Sequence, residues 1–299
     1  MTNLVFISGD FSSGSTLLWQ LFRHTNQYYC LYEPLHERLL EYLIWPLRPY
    51  EHHFFVKSYF AEYRGFDKIP RLFSSHWGTS QLYLPANAEA DALNRYLSYL
   101  IGTAFGRSDK VLLKENRITF RLGWLRQNFP QVKIIHVYRN RDSQWKSIVR
   151  RSQAYFRTED VGQDRVTFNG MSIARWCDDL QSTYPELASA NSQSGFERFC
   201  KLWELSYQTN RRYADISINY ADLINGFEAV CGKIWSCIGF NYDISSLKKL
   251  IVSTEKQKPV SISSTDLRKQ FIRQLDDFGF RLARLIIKLR NYFYQTKKR

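Results

Sequence analysis

The residues best suited to bind an anion form a short loop near the start of the chain. An apolar run over residues 3–9 predicts a buried strand, and the periodic apolar residues from Ser15 to Phe22 predict a helix. Residues 10–14, with glycine at position 14, connect the two. Backbone N–H groups at the start of a helix converge and attract phosphate or sulfate. We expect an oxyanion to bind here, with an ordinary turn capped by Ser12 or Ser13 as the alternative.

The same loop has the outline of the phosphate-binding pattern GxxxxGK[ST], but Ser15 stands where that pattern has lysine. The lysine neutralises the β- and γ-phosphates of a nucleoside triphosphate. Its absence therefore disfavours a nucleotide kinase or an ATPase.

A second candidate anion site follows the strand predicted over residues 132–138. Arg139 comes directly after this strand, and Ser147 lies eight positions later, on the helix predicted over residues 142–152. Side chains at the carboxyl ends of parallel strands face the crevice where open α/β sheets bind ligands. A hydroxyl two turns along the helix can contact the same anion. The alternative is a helix start capped by Asp142 beside surface arginines.

The elements that must position these residues predict an α/β protein with a parallel β-sheet flanked by helices. Further strands are predicted over residues 109–114 and 216–220, and further helices over residues 122–129 and 229–238. The polar residues 158–194 predict a loop-rich insertion, which we expect to act as a lid. We expect one domain over residues 1–299, in which approximately 37–107 and 155–200 form the acceptor site and the lid.

The composition limits the classes of function. Forty-two Lys and Arg against 28 Asp and Glu give a net charge of +14, which attracts anionic ligands. The five cysteines form no CxxC pair and have no histidine at metal-ligand spacing, so neither a disulfide framework nor a zinc site is expected. Residues 4–7 are too few for the apolar core of a signal peptide. We therefore expect a cytoplasmic protein.

The last twenty residues, 280–299, contain seven Lys or Arg and no acid, with apolar residues at helical spacing. We predict a basic helix that docks its apolar stripe on the core. Peripheral contact with a membrane surface is the alternative.

Together, the two anion-binding segments resemble the superfamily of sulfotransferases that use PAPS (3'-phosphoadenosine 5'-phosphosulfate), in its carbohydrate-type and bacterial branch. The loop for the 5'-phosphosulfate resembles residues 13–18 (SGSTLL), and the 3'-phosphate motif resembles Arg139 and Ser147. Supporting matches are residues 32–35 (YEPL), 129–130, 203–210 and 220–223. The order and spacing of these pieces make the resemblance specific.

The resemblance implies a P-loop-like fold with PAPS as co-substrate, PAP as product and no metal. The residues implied to bind the donor are Ser12, Ser13, Gly14, Ser15, Thr16, Leu17, Arg139 and Ser147. Glu33 is implied as the base for the acceptor, with His36 as the alternate. Family members have Lys or Arg at the position of Ser12, and we expect Lys114 or Arg117 to supply the missing charge.

The sequence contains no motif that identifies the acceptor. We expect a small-molecule or glycan acceptor with a hydroxyl or amine, and the YEPL-like segment favours a carbohydrate or lipid-linked hydroxyl. Two other classes remain open: a catalytically idle PAP-binding or anion-binding protein, suggested by Ser12, and a nucleic-acid-binding protein. The last is disfavoured because no RRM, helix-turn-helix or zinc pattern is present.

Overall fold

The computed structural model describes residues 3–44, 56, 58–155, 167–168, 171–192 and 194–248. These residues fall within a compact unit that spans Met1–Ile251. The basic tail predicted over residues 280–299 lies outside the described residues. None of the helices in the described ranges is long and apolar enough to cross a membrane.

The strands of this unit are β1 (Leu4–Ser8), β2 (Tyr29–Tyr32), β3 (Val111–Glu115), β4 (Lys133–Tyr138), β5 (Thr167–Phe168), β6 (Met171–Ser172) and β7 (Ile216–Asn219). Five of them form a central sheet in the order β2-β3-β1-β4-β7. All of its neighbouring strands are parallel. All residues of β1 and β3 are buried, as expected for a parallel sheet covered on both faces. A separate two-residue pair, β5 and β6, is antiparallel.

Helices flank the sheet, so the predicted α/β fold with a parallel sheet is confirmed. The helices in the described ranges are α1 (Ser15–His24), α2 (Leu39–Ile44), α3 (Ile69–Leu72), α4 (His76–Thr79), α5 (Asp91–Phe105), α6 (Leu122–Asn128), α7 (Arg141–Tyr155), α8 (Ile173–Leu180), α9 (Gly195–Tyr213), α10 (Tyr220–Asn225) and α11 (Phe227–Ile238). Short 3-10 turns occupy Ala61–Tyr63, Thr119–Arg121, Pro185–Leu187, Ser189–Asn191 and Ile244–Leu247.

The apolar core consists of two clusters. The larger one surrounds the sheet. The smaller one joins Phe11 of the first loop to side chains of α7, α8 and α9, and Trp176 of α8 lies 4.9 Å from the Phe11 ring. The loop that follows β1 is thus anchored in the core by its own aromatic side chain.

The stretch predicted as loop-rich, 158–194, contains the helix α8 in its described part, and residues 158–166, 169–170 and 193 of it lie outside the described residues. Ser172 caps this helix by accepting a hydrogen bond from the backbone N–H of Arg175. Ile173, Trp176 and Leu180 fall on one face and are buried in the smaller cluster. Burial of this apolar face stabilises the helix, although the segment is polar on average.

Candidate functional site

The two predicted anion sites meet at the carboxyl ends of β1 and β4. The loop after β1 turns through Gly14, whose φ of 101° is the left-handed conformation that favours glycine. A Cβ at Gly14 would lie 2.1 Å from Cδ2 of Tyr220, and one at Gly9 would lie 2.5 Å from the carbonyl oxygen of Val137. Both positions therefore require glycine, and the loop lies tightly against the end of the sheet.

The hydroxyl groups of this loop divide into paired and unpaired ones. Ser15 Oγ donates to Asn116 Oδ1 at 3.3 Å, and Thr16 Oγ1 lies 3.1 Å from the Tyr32 hydroxyl. In the described part of the chain, Ser12 Oγ and Ser13 Oγ are buried without a hydrogen-bond partner. A buried hydroxyl without a partner is costly. An oxyanion at the loop would provide the missing acceptors, so these residues fit a phosphate or sulfate group.

Leu17 has a different place from the other loop residues. Its side chain is fully buried in the larger core cluster, and its backbone N–H bonds the carbonyl of Gly14 at 3.0 Å. Leu17 therefore supports the loop by packing beneath it.

Arg139 and this loop contact the same aromatic ring. Its guanidinium carbon is 5.1 Å from the centroid of the Tyr220 ring, the same ring that packs against Gly14. Trp203 Nε1 donates to the carbonyl of Arg139 at 3.2 Å and fixes the backbone there. The structure thus brings Arg139 and the β1 loop to the same ring of Tyr220.

A hydrogen bond from α7 links the second anion site directly to the first. Gln144 Nε2 donates to the carbonyl of Phe11 at 2.8 Å. Ser147 is partly exposed and lies three residues later on the same helix, one turn beyond Gln144. The geometry therefore places Ser147 on the helix whose first turn touches the β1 loop.

Glu33 lies at the centre of a buried ionic cluster, directly after β2. Its Oε1 accepts hydrogen bonds from Lys114 Nζ at 2.5 Å and from Asn116 Nδ2 at 2.9 Å, and its Oε2 accepts one from Arg117 at 3.2 Å. All four residues are buried. Glu33 also has a φ of 40°, an uncommon value for a residue with a side chain. The strand register places Lys114 beside Tyr32, so β2 and β3 bring these groups together.

The neighbouring charges set the protonation of this cluster. Burial alone would raise the pKa of Glu33, but the positive charges of Lys114 and Arg117 outweigh it and hold that pKa far below its usual range. Burial lowers the pKa of Lys114, and the Glu33 carboxylate opposes that shift. Glu33 is therefore ionised and Lys114 has a countercharge.

Two further carboxyl groups complete the cluster and fix its backbone. Arg117 donates to Glu37 Oε2 at 2.5 Å. Glu115 accepts the backbone N–H of Leu35 at 2.6 Å and that of Arg117 at 2.9 Å, which ties the turn after β2 to the turn after β3. Burial raises the pKa of Glu115. This carboxyl orients the two turns that present Glu33 and Asn116.

His36 is buried beside Glu33, but its geometry suits a structural role. Burial, followed by the charge of Arg117, lowers the pKa of His36 well below its usual value, so the ring is neutral. Its Nδ1 accepts the backbone N–H of Arg38 at 3.1 Å, and its Nε2 is 3.9 Å from Glu33 Oε2. The one basic nitrogen of the neutral ring is therefore already occupied.

The sequence reasoning missed the side chains that connect the ionic cluster to the loop. Asn116 accepts from Ser15 and donates to Glu33, so it bridges the two directly. Tyr32 contacts Thr16 through its hydroxyl, and Lys114 Nζ lies 4.5 Å from the centroid of its ring. The available signal was the polar run that follows the apolar residues of β3.

Metal chemistry has no visible site in this region. No group of three or more His, Cys, Asp or Glu residues could hold a metal ion within the ranges that the structure describes.

The sequence matches the model of the Sulfotransferase family over residues 5–243. No curated protein matches the chain significantly. Several solved structures are similar, and three of them are sulfotransferases described by the following values. The sulfotransferase domain from the curacin biosynthetic pathway has 13% identity and a TM-score of 0.41, with 92% of this chain and 98% of that one covered. A Mycobacterium avium sulfotransferase has 12% identity and a TM-score of 0.47, with 92% and 76% covered. A Mycobacterium tuberculosis sulfotransferase has 16% identity and a TM-score of 0.43, with 85% and 71% covered.

Proposed function

The chain belongs to the sulfotransferase family, and we propose that it transfers the sulfuryl group of PAPS to a hydroxyl or amine group of an acceptor. One observation supports this proposal above the others. Two anion-binding elements that are far apart in the sequence, the β1 loop and Arg139 with α7, share contacts at the same edge of the sheet. PAPS has two anionic groups, a 5'-phosphosulfate and a 3'-phosphate, and needs two such elements.

We assign the 5'-phosphosulfate to the β1 loop. The backbone N–H groups of residues 12 and 14–16, at the start of α1, donate to the oxygens of the 5'-phosphosulfate, as at other helix N-termini. The hydroxyls of Ser12 and Ser13 gain the acceptors that they lack. Arg139 and Ser147 hold the 3'-phosphate, with the Arg139 guanidinium kept in place by the Tyr220 ring.

Lys114 supplies the positive charge that Ser12 does not. Transfer of a sulfuryl group resembles phosphoryl transfer, in which a loose transition state spreads negative charge over peripheral oxygens and the leaving group. Oriented charges and hydrogen-bond donors then contribute most of the stabilisation. Lys114 is buried beside Tyr32, which touches the loop at Thr16. Its ammonium group therefore lies on the β3 side of the loop, as does the Arg117 guanidinium, which is 5.3 Å from the centroid of the Phe11 ring.

Glu33 orients Lys114 and accepts a hydrogen bond from the acceptor. Its depressed pKa makes it a weak base. In a loose transition state, however, the acceptor becomes acidic only after the sulfuryl bond has begun to form. A weak carboxylate base is then sufficient, and we retain Glu33 as the proposed proton acceptor.

A carbohydrate or lipid-linked acceptor is supported by the segment after β2. A cavity of about 470 Å³ is lined there by aromatic residues that include Tyr42, Tyr59 and Phe60. Tyr59 packs 4.6 Å from Tyr32, which contacts the β1 loop. The walls combine these aromatic rings with polar side chains such as Ser58, Arg64 and Asp67, which suits an acceptor that presents both apolar faces and hydroxyl groups.

Calorimetry with PAP, together with a transfer assay that uses radiolabelled PAPS and sugar, phenol and amine acceptors, tests the proposal. Arg139→Ala should weaken PAP binding by about 30-fold, because a charge-assisted contact of about 2 kcal/mol is lost. Ser147→Ala should weaken it by about fivefold. Arg95→Ala and Ser98→Ala on the surface of α5 are matched controls and should bind PAP normally.

The outcomes separate the proposed function from its closest rival. Transfer to any acceptor, with the expected losses, supports the proposal. Tight PAP binding without transfer to any acceptor would identify the idle PAP-binding protein that Ser12 suggests. Unchanged PAP affinity in Arg139→Ala and Ser147→Ala would refute the placement of the 3'-phosphate.

A further inference from the structure

We propose that Asp10 is a proton-linked positioning residue of the β1 loop, and that the loop takes up one proton at the Asp10 carboxylate when an anionic nucleotide binds. This inference rests on the proposed function, because it assumes that the loop binds PAP or PAPS. The Asp10 carboxyl group belongs neither to the proposed contacts with the donor nor to the ionic cluster around Glu33.

The position of Asp10 sets the first part of the argument. It lies in the β1 loop, two and three residues before the unpaired hydroxyls of Ser12 and Ser13, and its carbonyl accepts the backbone N–H of Ser13 at 3.2 Å. Its side chain is partly buried and bonds to two other elements. Oδ2 accepts from Ser206 Oγ of α9 at 2.6 Å, and Oδ1 lies 3.4 Å from Thr119 Oγ1. Asp10 therefore ties the anion loop to α9 and to the turn after β3.

The hydrogen bonds around Asp10 extend into a connected network. Asn210, one turn along α9 from Ser206, donates to Thr119 Oγ1 at 3.1 Å and accepts from Ser8 Oγ at 2.7 Å. These contacts fix the end of β1 at Ser8 and the start of the loop at Asp10. They are made by hydroxyl and amide groups, which can donate or accept as the carboxyl group requires.

No positive charge in the described part of the chain pairs with the Asp10 carboxylate. Its hydrogen-bond partners there are the two hydroxyl groups. Arg117 lies over the ring of the next residue, Phe11, at 5.3 Å, but it is already paired with Glu33 and Glu37. Burial raises the pKa of Asp10 to about 6, although the Ser206 and Thr119 hydroxyls act in the opposite direction.

The pKa values of two titratable groups of β4 near Asp10 are shifted away from neutral pH. His136 and Tyr138 of β4 and Tyr207 of α9 line the same small cavity as Asp10 and Ser13. Burial, followed by the charge of Arg211, lowers the pKa of His136 to about 3, and burial raises that of Tyr138. The facing residues of α7 and α8, Gln144 and Trp176, do not ionise.

An anion at the loop would therefore meet an unpaired negative charge in the same loop. Like charges raise the pKa of a carboxyl group. The carboxylate takes one proton from solvent and becomes a neutral carboxylic acid, which keeps its bonds by donating to one hydroxyl and accepting from the other. Nucleotide binding at pH 7 is then accompanied by proton uptake and weakens as the pH rises.

Calorimetry of PAP binding at pH 7, in two buffers with different ionisation enthalpies, measures the number of protons taken up. Wild type should take up more protons than Asp10→Asn, by up to one. The PAP phosphates titrate equally in both proteins, so the difference isolates Asp10. Between pH 6 and pH 8, the PAP affinity of wild type should fall relative to that of Asp10→Asn by up to tenfold for each unit by which the pKa rises on binding.

Asp109→Asn is the matched control, since Asp109 is exposed before β3, at the opposite edge of the sheet. It should behave as wild type. If Asp10→Asn does not fold, Ser206→Ala serves instead. Loss of its hydroxyl raises the pKa of Asp10 in the free protein, so this variant should take up fewer protons than wild type.

Equal proton uptake by wild type and Asp10→Asn would overturn the inference and leave the proposed function intact, because PAP would still bind. Absence of PAP binding to wild type would overturn both.

Discussion

Ser12 stands where the family pattern has Lys or Arg, so we expect the positive charge to come from the β3 side of the loop. Lys114 is fully buried, has Glu33 as its countercharge and lies against the ring of Tyr32. A lysine held in this way cannot swing into solvent. Its charge is therefore available at one place, which is what electrostatic stabilisation of a transition state requires.

Replacement of Lys114 by Met tests this role. We expect kcat to fall by about 100-fold or more, as for other single donors to a developing charge, with PAP affinity nearly unchanged. Loss of one partner of a buried ion pair should also cost about 3 kcal/mol of unfolding free energy. Steady-state kinetics and thermal unfolding measure the two effects. Lys68→Met, at an exposed lysine before α3, is the control, and a Lys114→Met protein with normal kcat would remove Lys114 from the mechanism.

The raised pKa of Asp10 also predicts how stability depends on pH in the absence of a ligand. The folded state binds this proton up to about pH 6, whereas an unfolded aspartate loses it near pH 4. The contribution of Asp10 protonation to the free energy of unfolding is therefore complete below about pH 4 and is lost as the pH rises from about 4 to 6. Relative to Asp10→Asn, wild type should lose at most about 3 kcal/mol over this interval. Denaturant unfolding from pH 4 to 8 measures it, and a constant difference would contradict the raised pKa.

At the level of the elements, the β1 loop depends on the short β7–α10 connection. Tyr220 begins α10, and its ring occupies the space beside Gly14 while supporting Arg139. One side chain after β7 thus positions both anion sites. The arrangement explains why the loop has no room for a larger residue at position 14.

Gly14→Ala should abolish PAP binding and lower the unfolding free energy by about 2 kcal/mol or more. A methyl group would lie 2.1 Å from Tyr220 Cδ2, and the φ of 101° is strained for alanine. Gly232→Ala is the matched control, because Gly232 lies within α11 with nothing within 4 Å of its Cβ position. That change should stabilise the protein by about 0.5 to 1 kcal/mol. Normal PAP binding by Gly14→Ala would contradict the packing.

For the whole molecule, the excess of positive charge should accelerate the capture of an anionic nucleotide. The net charge of +14 produces a field that salt screens. The association rate constant of PAP should fall by about tenfold between 50 and 500 mM salt. Stopped-flow binding measures it. Arg139→Ala should mainly increase the dissociation rate, because it removes a contact and changes the net charge little; a salt-independent association rate would exclude steering.

The amino-acid sequence by itself determined the loop after β1, Arg139 at the end of β4 and the parallel sheet. These features follow from local patterns, since an apolar run, a glycine turn and a helical period are each contained in about 20 residues. The helix α8 was missed because the average composition of the segment is polar, although Ile173, Trp176, Cys177 and Leu180 recur at helical spacing and are buried in the smaller cluster.

Tertiary structure alone decided which side chains surround the loop. Ser15 and Asn116 are 101 residues apart, Asp10 and Ser206 are 196 apart, and Phe11 and Gln144 are 133 apart. The carboxyl ends of parallel strands converge at one edge regardless of their separation in the chain. No pattern along the sequence records which polar side chains meet there, because their partners are chosen by strand order and by the requirement that buried polar groups be paired.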